Sequence, residues 1–201
     1  MKIILMGQQA FGKSALEKFH TESDHEVVAV YCAPDKEGKP LDPVKEYAQS
    51  VGLPVFQPSN FKDQEVLDQI KSHDADLCVM AYVIIFVPEA ARDIPKYGSV
   101  CFHPSLLPAF PGVKSIDKAL NYSVQILGNT AHFIDEGIDT GPIIMQSVIS
   151  RAYFKCYEDV LSLQLKMLKK IWSLLEKDKI RVTKNKVTID EVTNKNTFFS
   201  I

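Results

Sequence analysis

Short apolar runs alternate with segments of helical spacing along most of the chain. Runs rich in Val, Ile and Leu and bounded by Gly, Pro or Asp predict strands, whereas apolar residues three and four positions apart predict helices. The predicted strands are 2–6, 26–32, 52–56, 76–82, 99–103, 130–134 and 143–150, and the predicted helices are 12–20, 44–51, 64–72, 88–93, 115–122 and 157–177. This alternation is typical of an α/β protein with a doubly wound, mostly parallel, Rossmann-like sheet and flanking helices.

The end of the chain has a different pattern. Two short β-branched runs, 180–182 and 186–189, predict a hairpin because a Lys-Asn pair lies between them. We therefore expect one main domain over residues 1–180, followed by a hairpin and tail over residues 181–201.

Composition narrows the class of protein. The 201 residues are 46% hydrophobic and carry a formal net charge of -2, so the chain can bury a core and has no overall charge that favours nucleic acid or an anionic membrane. The 4 cysteines are far apart, which predicts reduced thiols in a cytoplasmic protein and no metal site. The apolar run 1–6 is too short for a signal peptide or a membrane span.

The stretch from Gly7 to Ser14 matches the phosphate-loop pattern G-x-x-x-x-G-K-[ST], between a predicted strand and a predicted helix. Two features argue against nucleotide hydrolysis. Neither predicted strand 76–82 nor 99–103 ends in an aspartate that would hold magnesium, and Phe11 would crowd a loop that must wrap a phosphate. We interpret the stretch as a glycine-punctuated turn between strand and helix.

A single histidine, His103, ends one predicted strand within a rigid segment. Prolines at 104, 108 and 111 follow it and restrict its backbone to extended or turn geometry. Open α/β sheets bind ligands at the carboxyl ends of their strands, and a histidine side chain exchanges protons near neutral pH. A buried structural histidine is the alternative, but the rigid context favours a functional one.

An acidic loop, residues 135–141, follows the next predicted strand and contains Asp135 and Asp139. Such loops are usually solvated turns. Because this one follows a neighbouring strand, a carboxylate from it could reach His103 and fix the tautomer of the imidazole for acid–base catalysis.

The motifs His-Pro-Ser-Leu-Leu-Pro at 103–108 and Asp-Thr-Gly-Pro at 139–142 resemble the signature of the folate-dependent formyltransferases. The N-terminal stretches 7–12, 34–39 and 52–56 are similar to methionyl-tRNA formyltransferase and to the hydrolase domain of 10-formyltetrahydrofolate dehydrogenase. Residues 110–112 and 132–146 look more like glycinamide ribonucleotide formyltransferase. The resemblance covers about residues 1–150.

The resemblance implies transfer of a formyl group from 10-formyltetrahydrofolate, the co-substrate, to an amine. It implies that His103 stabilises the developing oxyanion and moves a proton, while Asp139 holds the histidine or a water molecule. The pterin would lie against the segments 82–87 and 135–139, with backbone groups of Ile84 and Phe86 at its ring edge. The implied folate-binding residues are Tyr82, Ile84, Phe86, Val87, Asp135 and Gly137.

The chain departs from the family pattern at Cys101, where the family usually has an asparagine whose amide donates to the oxyanion. A thiol is a weak donor, so the site is expected to turn over slowly or to use another donor. Three alternatives therefore stay open: hydrolysis of the formyl folate, folate binding with impaired turnover, and a nucleophilic role for Cys101 beside His103.

The acceptor is expected to be a small-molecule amine, with glycinamide ribonucleotide first and an amino sugar nucleotide second. Residues 8–11 depart from the phosphate loop of the glycinamide ribonucleotide enzymes. No nucleic acid is expected as a partner, because the lysines of 166–179 resemble one solvated helix face more than a dense basic patch.

Overall fold

The computed structural model describes residues 1–22, 24–177, 180–183 and 186–189, and it divides into two compact units, 1–101 and 102–201. The predicted tail from residue 190 and the Lys-Asn pair at 184–185 lie outside the described residues.

The first unit is a parallel sheet with helices between its strands. Strand β1 pairs in parallel with β2 on one side and β4 on the other, β2 pairs with β3, and β4 pairs with β5. The side chains of β4 are all buried, which explains why this strand is a continuous apolar run. The strands are β1 (Lys2–Gly7), β2 (Glu26–Tyr31), β3 (Val55–Phe56), β4 (Leu77–Ala81) and β5 (Ser99–His103), and the helices are α1 (Gln9–Glu22), α2 (Pro43–Ser50), α3 (Gln64–Ser72) and α4 (Glu89–Arg92).

The phosphate-loop pattern does not form a phosphate-wrapping loop. Helix α1 begins at Gln9 rather than at residue 12 as predicted, so Gly12 lies inside the helix. A Cβ atom at Gly12 would come within 2.5 Å of the Val44 side chain, so glycine is required there by the packing of α1 on α2. The carboxylate of Asp42 accepts hydrogen bonds from the Gln9 amide at 3.0 and 3.1 Å, so the start of α1 already holds an anionic group.

The second unit contains an antiparallel pair of strands, two helices and the hairpin. Strand β6 (Ile126–Phe133) runs antiparallel to β7 (Ile143–Ser150) and begins four residues before the predicted residue 130. Helix α5 spans Ser115–Asn121 and α6 spans Tyr157–Glu176; the apolar face of α6, including Leu163, Leu168 and Ile171, is buried. Strands β8 (Ile180–Thr183) and β9 (Lys186–Ile189) form the predicted antiparallel hairpin.

The strand order of the first unit is β3-β2-β1-β4-β5. These five strands are parallel, and β6 and β7 of the second unit are antiparallel, which confirms the predicted doubly wound, mostly parallel α/β class. The predicted domain boundary at residue 180 stays a prediction. Of the helices in the described residues, none combines the length and the apolar character needed to cross a membrane.

Candidate active site

The structure brings the two side chains predicted to act together, His103 and Asp139, into contact. His103 ends strand β5, and Asp139 lies in the loop that joins β6 to β7. Nδ1 of His103 lies 3.3 Å from Oδ2 of Asp139, with the two side chains 9% and 17% exposed. The contact is therefore largely shielded from water. An interaction between an imidazole and a carboxylate is stronger in such surroundings than at the protein surface.

Both ring nitrogens of His103 face oxygen acceptors. Nδ1 faces the Asp139 carboxylate, and Nε2 donates to the backbone carbonyl of Phe110 at 2.9 Å. A neutral imidazole has one N–H, so only the doubly protonated ring can donate to both oxygens at once. Each ring nitrogen of His103 thus has an oxygen atom within reach for a hydrogen bond.

Asp139 is held by three groups of the second unit. The Gly112 amide donates to its Oδ2 at 2.7 Å, and Nε2 of His132 lies 3.7 Å from its Oδ1. Burial disfavours the charged carboxylate, but the interactions with His132 and with the Gly112 amide, together with the charge of His103, outweigh it. The pKa of Asp139 consequently lies below its ordinary value. The backbone of Asp139 is left-handed, with φ of 56°.

His132 is a component of the site that the sequence did not single out. It is buried near the end of β6, and its Nδ1 donates to the Phe133 carbonyl at 2.8 Å, which leaves Nε2 facing Asp139. One carboxylate thus lies between two imidazoles, an arrangement that can exchange a proton among three groups. The available signal was the position of His132 on the strand that feeds the acidic loop.

The segment after His103 is anchored by polar side chains from β6 and β7. The hydroxyl of Thr130 accepts from the Leu107 amide at 3.0 Å and donates to the Ser105 carbonyl at 2.8 Å. The side-chain amide of Gln146 donates to the Leu107 carbonyl and to the Thr130 hydroxyl, both at 2.9 Å. These contacts link His103 to the strands that also carry His132, although no sequence spacing indicates them.

Asp135 and Gly137, predicted to bind the folate, lie at the start of the acidic loop. Oδ1 of Asp135 accepts from the Gly137 amide at 3.0 Å and from the Thr140 hydroxyl at 2.7 Å. The side chain of Asp135 therefore stabilises its own loop, whereas the carboxylate of Asp139 faces the histidines. A folate contact by Asp135 or Gly137 stays a prediction.

The remaining predicted residues lie in the first unit. Tyr82, with φ of 63°, follows β4 and is half exposed, Ile84 and Phe86 are exposed, and the side chain of Val87 is buried. Apolar side chains in water are the kind that pack against a flat aromatic ligand. Their contact with a pterin stays a prediction.

Cys101 lies in β5 opposite Met80 of β4, and its free thiol is partly exposed. The structure thus places a sulfur atom, and no side-chain amide, at the position where the family usually has asparagine. Among the described residues, no group of three or more His, Cys, Asp or Glu side chains could hold a metal ion.

Comparison with known proteins identifies the family of this chain. A sequence profile described as "Formyl transferase" matches residues 1–155. The chain belongs to the formyl transferase family. This confirms the resemblance inferred from the two motifs at 103–108 and 139–142.

Curated relatives of this family member include proteins of different function. It is 37% identical over 151 residues to methionyl-tRNA formyltransferase of Fusobacterium nucleatum, a match that covers 73% of this chain and 48% of that protein. It is 36% identical over 151 residues to cytosolic 10-formyltetrahydrofolate dehydrogenase of Xenopus laevis, covering 73% of this chain and 16% of that protein. The chain spans less than half the length of these relatives.

Solved structures of the family share the fold. Phosphoribosylglycinamide formyltransferase from Anaplasma phagocytophilum aligns with a TM-score of 0.81 at 24% identity, over 98% of this chain and 97% of that one. A formyltetrahydrofolate deformylase from Pseudomonas syringae aligns with a TM-score of 0.77 at 24% identity, over 94% of this chain and 65% of that one.

Proposed function

We propose that this formyl transferase family member transfers the formyl group of 10-formyltetrahydrofolate to the amine of a small molecule, with His103 and Asp139 as the acid–base pair. The observation that carries the proposal is the carboxylate of Asp139 between His103 and His132 in a largely buried site. Interactions with His132 and with the Gly112 amide keep the pKa of that carboxyl below its ordinary value despite its burial.

The chemistry needs one oxyanion stabiliser and one route for a proton. The amine nitrogen attacks the formyl carbon with its lone pair, the new C–N bond forms, and the carbonyl electrons move to oxygen. The positive charge of protonated His103 stabilises that oxyanion, while Asp139 accepts the proton that the amine loses.

The intermediate then collapses toward products. The oxygen electrons reform the carbonyl, the bond from carbon to the folate nitrogen breaks, and its electron pair goes to that nitrogen. The proton held by Asp139 passes to the leaving nitrogen, directly or through a water molecule. Formylated amine and tetrahydrofolate result, and the pair returns to its starting charge.

Cys101 supports a second candidate function, hydrolysis of the formyl folate. Without a side-chain amide near the oxyanion, loss of one donor is expected to slow formyl transfer by about 10²–10³ in kcat. A relative named 10-formyltetrahydrofolate dehydrogenase is 36% identical to this chain. The solved structures that share its fold include a formyltetrahydrofolate deformylase. Water would then replace the amine as the nucleophile, and His103 and Asp139 would remain the acid–base pair.

One assay separates these functions. Tetrahydrofolate release from 10-formyltetrahydrofolate is measured with glycinamide ribonucleotide, with an amino sugar nucleotide, with initiator methionyl-tRNA and with no acceptor. Release that requires one of the small amines supports the proposal, whereas equal release without any acceptor supports hydrolysis. Release that requires the tRNA would overturn the small-molecule acceptor, and no release with measurable folate binding would overturn both catalytic functions.

A further inference from the structure

The start of helix α1 lies at the place in the first unit where a phosphate group of a substrate would be expected. The strand order of this unit reverses between β1 and β4, and open α/β sheets bind ligands outside the carboxyl ends of the strands at such a point. Helix α1 begins at Gln9, shortly after β1 ends, and the N-terminus of a helix attracts anions. The phosphate-loop pattern at 7–14 lies at the same position.

The carboxylate of Asp42 occupies this position. Its two oxygen atoms accept hydrogen bonds from the Gln9 amide at 3.0 and 3.1 Å, and Oδ1 also accepts from the Val44 amide at 2.9 Å. Asp42 is the N-cap of α2, so one carboxylate serves the first turns of two helices. A carboxylate and a phosphate are anions that accept from the same N–H donors. The chain itself therefore supplies the anion that a substrate phosphate would have to replace.

Packing of α2 on α1 holds this carboxylate in place. Val44 is fully buried, and a Cβ atom at Gly12 would come within 2.5 Å of its side chain, so the two helices approach closely. Pro43 restricts the backbone of Asp42, which is extended with φ of -66° and ψ of 134°. Moving Asp42 away from Gln9 would therefore remove the cap of α2 and disturb its packing. The carboxylate is a fixed part of the fold.

The charges near Asp42 also disfavour a phosphate. Lys45 forms an ion pair with Asp35 and donates to the side chain of Gln57 at 2.8 Å, so its positive charge is already compensated. The pKa of the nearby Cys32 thiol reflects the local potential. Burial raises this pKa to about 11, and the negative charges of Asp42 and Asp35 add to the rise against the opposing charge of the lysine. Two carboxylates and one ammonium group leave this edge of the sheet with a net negative charge, which repels a further anion.

We propose that Asp42 is a specificity-determining residue, which closes the start of α1 to phosphate and so restricts the acceptor to amines that present no phosphate at this position. The inference rests on the proposed transfer of a formyl group to a small amine. It narrows that proposal, because glycinamide ribonucleotide carries a phosphate that Asp42 would repel. Its dephosphorylated form, glycinamide riboside, has the same amine and meets no such repulsion.

The first test measures the binding of inorganic phosphate from the NMR shift of the Gln9 amide, at constant ionic strength. Asp42→Ser keeps a hydroxyl that can cap α2 and removes the carboxylate from the Gln9 amide. We expect it to bind phosphate about 2- to 30-fold more tightly than the wild type, the range for an anion at a helix N-terminus. Asp42→Asn removes only the charge and should gain less.

The matched control is Asp63→Ser, which makes the same change at the N-cap of α3. The Asp63 side chain accepts from Asn60 at 2.7 Å rather than from an amide of its helix, so its loss uncovers no N–H group of α3. Equal phosphate affinity in the wild type and in both Asp42 variants, or a gain of the same size in Asp63→Ser, overturns the proposal.

Kinetics with a matched pair of acceptors give an independent measurement. In the wild type, kcat/KM for glycinamide riboside should equal or exceed that for glycinamide ribonucleotide. Asp42→Ser should shift this ratio toward the ribonucleotide by the factor measured for phosphate. A wild-type preference for the ribonucleotide overturns the role of Asp42. The expected pattern of phosphate binding with no tetrahydrofolate release from any acceptor overturns the proposed function and supports closure of the α1 start by Asp42.

Discussion

An asparagine at position 139 keeps the size of the side chain and removes its charge. Its carbonyl oxygen can still accept from the Gly112 amide, which donates at 2.7 Å in the wild type. Its NH₂ group then faces one of the two imidazoles, whose nitrogens lie 3.3 and 3.7 Å from the carboxylate. The variant therefore keeps the loop contact and loses both the proton acceptor and the counter-charge of His103.

The magnitude follows from the role of a positioned acid–base group, which contributes about 10²–10⁴ to the rate. We expect Asp139→Asn to lower kcat for tetrahydrofolate release by that factor, with a smaller change in KM, because the lost interaction is used in the transition state. Asp135→Asn is the matched control. It makes the same chemical change in the same loop, where Asp135 contacts Gly137 and Thr140 rather than a histidine.

The assay is steady-state release of tetrahydrofolate, with far-ultraviolet circular dichroism to show that both variants fold. The control is expected to keep kcat within about threefold of the wild type, because loss of the predicted folate contact of Asp135 would change KM rather than kcat. A folded Asp139→Asn that retains wild-type kcat, or an Asp135→Asn that loses as much, would refute the assignment of Asp139 as the proton acceptor.

The same variant tests the electrostatics without any substrate. Because the folded-state pKa of Asp139 lies below its ordinary value of about 3.9, the unfolded chain binds more protons than the native state between the two values. The stabilisation is present above the unfolded pKa and is lost as the pH falls through the folded one. Urea unfolding at a series of pH values below about 4 should show a steeper loss for the wild type than for Asp139→Asn. Equal slopes would contradict an ionised Asp139 that is stabilised by folding.

Three further substitutions test other parts of the site. Cys101→Asn is expected to raise transferase kcat by up to about 10²–10³, and an unchanged rate would show that the site does not lack an oxyanion donor there. His132→Asn keeps a donor for the Phe133 carbonyl and removes the nitrogen that faces Asp139. It should therefore raise the pKa of Asp139 and lower kcat, and both changes should be larger than in His132→Gln. The pKa is measured by NMR titration of the carboxyl group, and kcat by steady-state kinetics. Gly141→Ala would place a Cβ atom 1.8 Å from the Phe133 carbonyl oxygen, so a loss of more than about 1 kcal/mol of unfolding free energy is expected in urea, and none would contradict the close approach.

Periodicity located most elements because their burial is regular. The predicted bounds of α3, β5 and β7 agree with the structure. The predicted starts of α1 and β6 were wrong because a residue type that is typical of one environment also occurs in another. Gly12 indicated the end of a turn, yet it lies inside α1. The residue is glycine because Val44 leaves no room for a side chain there. The start of β6 was missed because Ile126 is exposed and its strand character comes from pairing with Ser150 of β7.

The site was predicted in part, for a physical reason. His103 stands out in the sequence because prolines fix the chain around it, and Asp139 because its motif resembles that of a family. His132, Thr130 and Gln146 have no such mark, since their roles depend on contacts formed when β6 and β7 pair beside the 103–112 segment. Contacts between residues 23 to 39 positions apart leave no local periodicity to detect.

The acidic loop shows how the backbone decides which carboxylate does chemistry. Asp135 and Asp139 both look like residues of a solvated turn, yet one accepts hydrogen bonds from its own loop and the other faces two imidazoles. Gly141 lies so close to the Phe133 carbonyl that no larger residue fits, and Asp139 has a left-handed backbone, so the loop between β6 and β7 is tightly constrained. The assignment of Asp139 rather than Asp135 as the proton acceptor depends on the partners of the two carboxylates in this loop, and the paired Asp→Asn variants test it directly.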